Sequence, residues 1–204
     1  MCGACMASSY RSVDLTTLSF EPVAKQGKLY VANLSPALSV LTPPVELATP
    51  LDSDAPFAYV RPAGDFARFL HDVEAFVLDQ CLKRKSEWFR KDLDDDALRN
   101  NFKSFFREGE FKVKVAGEVA AFGIKKEPIG PEDVRVGQQV RCVLELERVC
   151  FGRQEFGAMW RLVQVREVEV PACMIDDAAE DSDSGVSEDG RDDDERDADE
   201  QEFL

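Results

Sequence analysis

Phe151 and Phe156 flank the short stretch Gly152-Arg153-Gln154-Glu155, and Trp160 follows close behind. Outside a core, flat rings of this kind stack on other rings, and stacking on an unpaired nucleobase is worth about 1 to 3 kcal/mol per base. The cations that would complete such a site occupy the same half of the chain: Lys112, Lys114, Lys125, Lys126, Arg141, Arg153 and Arg166. Their counter-ion on a nucleic acid is phosphate, so binding by them is salt-dependent. If Phe151 faces Phe156 across a hairpin, alternation sorts the side chains onto two faces. Val140, Cys142, Leu144, Leu146, Val163 and Val165 form an interior. Val149, Phe151, Phe156 and Trp160 then form an outer face with Arg141 and Arg166 further from the turn. Glu145 and Glu147 lie on that same face and work against it. The same rings become core if helices pack over them, and a one-residue bulge exchanges the two faces.

Other chemistry is poorly provided for. The chain has no Gly-rich phosphate loop with Lys-Ser or Lys-Thr, no dinucleotide fingerprint and no HExxH. One histidine, His71, within a predicted helix, cannot build a nucleophilic triad or a histidine-rich metal centre. Cys2 and Cys5 have the spacing of half a zinc site or of a redox dithiol, but a second close pair is missing, and a frayed end is the better reading. The expectation is a non-enzyme without cofactor or metal.

These residues need elements to position them. From Gly27 to Val60 the chain reads as short extended segments, Lys28-Leu29-Tyr30-Val31 and Phe57-Ala58-Tyr59-Val60 among them, separated by Pro36, Pro43, Pro44, Pro50 and Pro56. After Pro62-Ala63-Gly64, Asp65 is a plausible N-cap. Phe66, Phe69, Leu70, Val73, Phe76, Val77 and Cys81 then recur at helical spacing to about Lys83. A second helix is expected from Asp94–Asp96, carrying Leu98, Phe102, Phe105 and Phe106 to Gly109. Between the two, the basic segment around Trp88 and Phe89 reads either as a nucleic-acid contact or as a helix end with its rings in the core. Beyond Glu110 the period becomes two: strands at Phe111–Val115 and Val119–Ile124, then a hairpin of Gln139–Phe151 with Phe156–Val170. The fold class predicted is mainly β with an α insertion (α+β), an oligonucleotide-binding-like antiparallel barrel with one or two helices. Residues 1–26 form an arm or first strand, 27–175 the barrel with its helical insertion at about 65–108, and 176–204 a disordered acidic tail.

Val136-Gly137-Gln138-Gln139-Val140, Leu144-Glu145-Leu146, Val149-Cys150-Phe151 and Phe156-Gly157-Ala158-Met159-Trp160-Arg161-Leu162-Val163-Gln164-Val165 resemble the C-terminal hairpin of single-stranded DNA-binding proteins of nucleocytoplasmic large DNA viruses. The resemblance covers about Gly117 to Val170, and its most distinctive piece is Phe-Gly-x-x-Trp-Arg-Leu-x-Gln. Cys150 stands where such relatives lead one to expect tryptophan. The resemblance implies an oligonucleotide-binding fold that coats single-stranded DNA, and a host nucleus or viral replication compartment as its location.

The tail carries a second likeness. Asp176 to Leu204 hold a net charge of -13 out of -15 for the whole chain, leaving -2 for everything before them. So acidic a run cannot bury enough apolar surface to order itself. It ends on Phe203 and Leu204, and is similar to the acidic, Phe-tipped ends of bacterial and phage single-strand-binding proteins, which recruit replication partners and compete with DNA. Ser182, Ser184 and Ser187 lie in a context that acidophilic kinases favour. Six scattered cysteines and the lack of a long apolar run are expected of an intracellular, non-membrane protein with reduced thiols. The partners expected are single-stranded DNA, with RNA possible, replication proteins through the tail, and a homo-oligomer. Two other functions fit the composition: an acidic-tailed chaperone of basic proteins, and a virion structural or interaction protein.

Overall fold

The computed structural model describes residues 7–51, 55–89 and 93–169, all within the compact unit Met1–Val170. Cys2, Cys5 and the acidic tail with Phe203 and Leu204 lie outside the described residues. The principal strands are β1 (Leu29–Leu41), β2 (Val45–Leu47), β3 (Phe57–Arg61), β4 (Glu110–Phe122), β5 (Gln139–Phe151) and β6 (Phe156–Glu167). Between β3 and β4 lie α1 (Gly64–Lys83), α2 (Lys85–Trp88) and α3 (Asp95–Asn101).

Five strands close a barrel in the cyclic order β2-β3-β4-β6-β5, β5 returning to β2 through Gln139↔Glu46 and Val140↔Val45. This is a mainly β, α+β architecture of the oligonucleotide-binding type, a five-stranded Greek-key barrel. It is not wholly antiparallel: β6 runs parallel to β4, with Arg161 opposite Lys114. The prolines limit pairing less than expected. β1 runs through Pro36 because it leaves register with β5 there, Leu38 pairing with Leu146 and Asn33 with Arg148. Pro43-Pro44 then separate β1 from β2, and buried Thr42 holds the break. Its N–H donates to the Cys142 carbonyl (2.9 Å), and its Oγ1 accepts from the Cys142 N–H (2.9 Å).

The helical insertion seals the barrel. Helix α1 buries Phe66, Leu70, Val73, Val77 and Cys81, the stripe its spacing predicts. Asp65 is not its cap; Ala63 occupies the cap without a side-chain bond, and Asp65 sits in the first turn paired with Arg68 and Arg11. Asp94 does cap α3, accepting from the Ala97 N–H, but that helix ends at Asn101 rather than running on toward Gly109. The chain turns out of helix there because Phe102 bridges to Phe156 and the Lys103 N–H donates to the Phe156 carbonyl (2.8 Å). Phe105 and Phe106 then pack against Phe111 from outside any helix. Edge-on ring contacts run through Phe20, Trp88, Phe151, Phe89, Phe156 and Phe102, each worth about 0.5 to 1.5 kcal/mol beyond area burial.

Candidate nucleic-acid interface

The hairpin pairs as expected at its tip, Phe151 opposite Phe156, but its rings do not face outward. Glu147 is an extra residue between Leu146, opposite Trp160, and Arg148, opposite Met159. That bulge turns Val149 and Phe151 to the side already occupied by Leu144 and Leu146. A second shift leaves Val163 unpaired, between the pairs Val143↔Gln164 and Leu144↔Leu162. Phe151, Phe156 and Trp160 are therefore core residues at 9%, 4% and 1% exposure, and the open outer-face platform expected of them is corrected. Trp160 packs edge-on against Phe111 (5.8 Å between centroids). Phe151 and Phe156 floor a cleft of about 1090 Å³, shared with Tyr30, Trp88, Phe89 and Arg153. Trp88 is buried, as the core reading of its segment required.

The predicted cations fall into three places. Arg153 is in the hairpin loop at one end. Arg141 and Arg166 are cross-strand partners near the opposite end of the hairpin, and Arg166 is also opposite Phe122. Lys125 and Lys126 follow in the turn after Phe122, closed by the Lys126 N–H donating to the Gly123 carbonyl (3.0 Å). Lys112 and Lys114 stand mid-barrel on the outer side of β4, alternating with buried Phe111 and Val113. None of these cations forms an ion pair among the described residues, whereas Arg61, Lys83, Lys103 and Arg161 all do.

Lys112 and Lys114 have aromatic neighbours on a strand outside the hairpin. Across β3, Tyr59 is opposite Lys112 and Phe57 is opposite Lys114. Ala58 and Val60 point inward and are fully buried, so Phe57 and Tyr59 lie on the outer side, half-buried. The Lys112 ammonium sits over the Phe57 ring, 3.8 Å from its centroid. The row continues to Arg161 on β6 and Glu145 on β5. Two rings and two lysines thus share one outer face of β3 and β4, and the carboxylate at its end, Glu110, is taken by Arg61 rather than by either lysine. Arg61, at the end of β3, is turned to Glu46 and Glu110 (2.9 Å to Glu110).

The remaining ionisable and thiol side chains of note have structural partners or are buried. His71 stacks on Phe106 (4.0 Å) with its Nδ1 3.7 Å from Glu74, and Glu74 accepts from the Ser104 hydroxyl (2.7 Å) and the Phe105 N–H (2.6 Å). Cys81 and Cys142 are free thiols that burial pushes up to about 12, so they are neutral and unreactive near pH 7. Among the described residues no cluster of His, Cys, Asp or Glu could hold a metal ion, and no helix is long and apolar enough to cross a membrane.

A closed oligonucleotide-binding-type barrel with rings and lysines on its second and third strands is the class of protein that fold and face define. The chain belongs to a family of unknown function, DUF5871, whose model matches residues 64–181. No curated protein matches it. In solved structures it is similar to the single-stranded DNA-binding protein from bacteriophage Enc34, at 10% identity over 79% of this chain and 98% of that one (TM-score 0.44). It is also similar to a C-terminal truncation of that protein (9% identity, 74% and 96% covered, TM-score 0.44). The same protein in complex with ssDNA gives 10% identity, 74% and 96% coverage, and a TM-score of 0.43. The likeness is one of outline.

Proposed function

We propose that this protein binds single-stranded DNA, serving replication, recombination or repair, with bases stacked on Phe57 and Tyr59 and phosphates on Lys112 and Lys114. The observation that carries this reading is the pairing itself: Phe57 opposite Lys114 and Tyr59 opposite Lys112, with neither lysine held by a carboxylate among the described residues. A core has no use for that arrangement, since it leaves ring area and positive charge in water together. Stacking tolerates any base, so the face binds without a strong sequence preference. A duplex hides its base faces and is disfavoured. Lys112 covers the Phe57 ring in the free protein, and its four-carbon stem lets the ammonium pivot to a phosphate as a base takes the ring. Arg153 in the hairpin loop, and Arg141, Arg166, Lys125 and Lys126 beyond the far end of the hairpin, extend the phosphate path.

The acidic segment from Asp176 to Leu204 supplies the regulation. A polyanion of net charge -13 on the same chain competes with DNA for the cationic surface, and Phe203 and Leu204 give replication proteins an apolar hook. The test is fluorescence anisotropy of labelled dT, rU and duplex oligonucleotides at two salt concentrations, with the full chain and with a chain ending at Met174. Single strands should bind more tightly than duplex, and truncation should raise affinity most at low salt. Equal affinity for duplex, or truncation without effect, would defeat the stacking and competition arguments respectively.

A further inference from the structure

Arg161, the arginine of the Phe-Gly-x-x-Trp-Arg-Leu motif, stands opposite Lys114 on the proposed face. Its guanidinium does not point into open water. Nη2 is 2.6 Å from Glu145 Oε2, and Nε is 3.2 Å from Glu147 Oε1. Glu147 reaches it only because it is the extra residue of the β5 bulge. Arg148 approaches the other Glu147 oxygen at 3.5 Å and donates to Gln26 Oε1 (2.6 Å). The network is incompletely satisfied: Glu147 Oε2, Arg148 Nε and Arg161 Nε are buried atoms with no hydrogen bond of good geometry. A partly satisfied, half-buried set of charges yields to any partner offering better geometry. A phosphate offers just that, because an arginine fork takes two of its oxygens at once.

We infer that Arg161 is a further phosphate ligand of the β3–β4 face, and that Glu145 and Glu147 hold it in reserve in the free protein. The inference rests on the proposed single-strand binding at that face. The Lys114 and Arg161 backbones are one strand spacing apart, about 4.8 Å, so a phosphate brought to the Lys114 ammonium is within reach of the guanidinium and takes it from Glu147. The carboxylates then set affinity: DNA must displace an internal anion, so the complex is weaker and more readily reversed than the cations alone would make it. A purely structural cross-strand ion pair, the competing explanation of Glu145↔Arg161, makes no such link to salt.

The experiment measures Kd for labelled oligo-dT against salt concentration, using the full chain and its Arg161→Gln, Arg161→Lys, Glu147→Gln and Arg161→Gln/Glu147→Gln variants, each checked for folding by thermal melting. Arg161→Gln should weaken binding and flatten the log-log salt slope by about 0.7, one phosphate contact on a single strand. Arg161→Lys should restore most of that slope. Glu147→Gln should tighten binding about three- to tenfold, a gain that shrinks when Arg161 is absent. A wild-type slope in Arg161→Gln, or an equal gain from Glu147→Gln with and without Arg161, overturns the inference. Should Arg161→Gln fail to fold, Glu147→Gln decides: affinity no tighter than that of the native chain overturns the inference. Failure of the binding reading looks different: Phe57→Ala and Lys114→Gln would then leave affinity untouched whatever happens at Arg161.

Discussion

Replacing Phe57 by alanine separates stacking from scaffolding. The ring lies on the outer side of β3, half-buried, while its neighbours Ala58 and Val60 carry the packing. A base stacked on it gains about 1 to 3 kcal/mol. It must first displace the Lys112 ammonium from the ring, giving up about 0.5 to 1 kcal/mol of cation–π attraction at a wet site. The midpoint of the net contribution is roughly 1.25 kcal/mol, which at about 1.4 kcal/mol per decade means about an eightfold rise in Kd. Because no phosphate contact is lost, the salt slope should stay where it was. Anisotropy titration of labelled oligo-dT at several salt concentrations reads both quantities, and circular dichroism confirms the fold. Unchanged affinity in a folded Phe57→Ala protein refutes the stacking role. A flattened slope refutes the division of labour between rings and lysines.

Trp160→Ala should behave in the opposite way. It empties a core site at 1% exposure, costing about 3 to 5 kcal/mol, or about 6 to 20 °C in melting temperature for a domain of this size, while affinity measured well below the melt is retained; lost affinity with an intact fold would return Trp160 to the binding face. Alkaline pH should destabilise the fold through Cys81 and Cys142. An unfolded thiol ionises near pH 8.5, and these folded thiols only at about 12, so their stabilisation is complete below the first value and is lost as pH rises toward the second. The slope is about 1.4 kcal/mol per pH unit per thiol. Urea melts across that range should fall more steeply for the native chain than for Cys81→Ala/Cys142→Ala, and parallel curves would show that burial does not hold the thiols neutral.

The architecture was legible where a single period ran unbroken. Phe66 to Cys81 gave α1, and the alternation at Phe111, Val113 and Val115 gave the first half of β4. The sequence pattern failed at points where tertiary contacts decide. Asp94 marks the start of α3, but nothing local marks its end, because Phe102 leaves the helix to bridge Phe156, a residue more than fifty positions away. β4 is one strand rather than two, bent at Gly117 (φ +72°), where the pairing with β6 skips from Leu162↔Val115 to Gln164↔Ala120. Gly157, at the centre of the distinctive hairpin motif, also has a tertiary reason: a Cβ there would lie 2.8 Å from the Lys103 carbonyl oxygen.

The candidate site shows why aromatic content alone misleads. Phe151, Phe156 and Trp160 are rings near cations in the sequence, but inserting one residue, Glu147, moves Val149 and Phe151 across the sheet, and no composition rule says where a bulge falls. Phe57 and Tyr59 carry a better signal. They alternate with Ala58 and Val60, the small apolar residues that belong inside a barrel, so their rings are on the side a core does not need. Lys112 and Lys114 alternate with Phe111 and Val113 in the same sense. Two strands whose inner faces are plainly apolar, one with rings on its outer face and the other with ammonium groups, form a wet aromatic-cationic surface once they pair. A ring that alternates with interior residues along its strand is informative about function, whereas a ring continuing an apolar series is informative about packing.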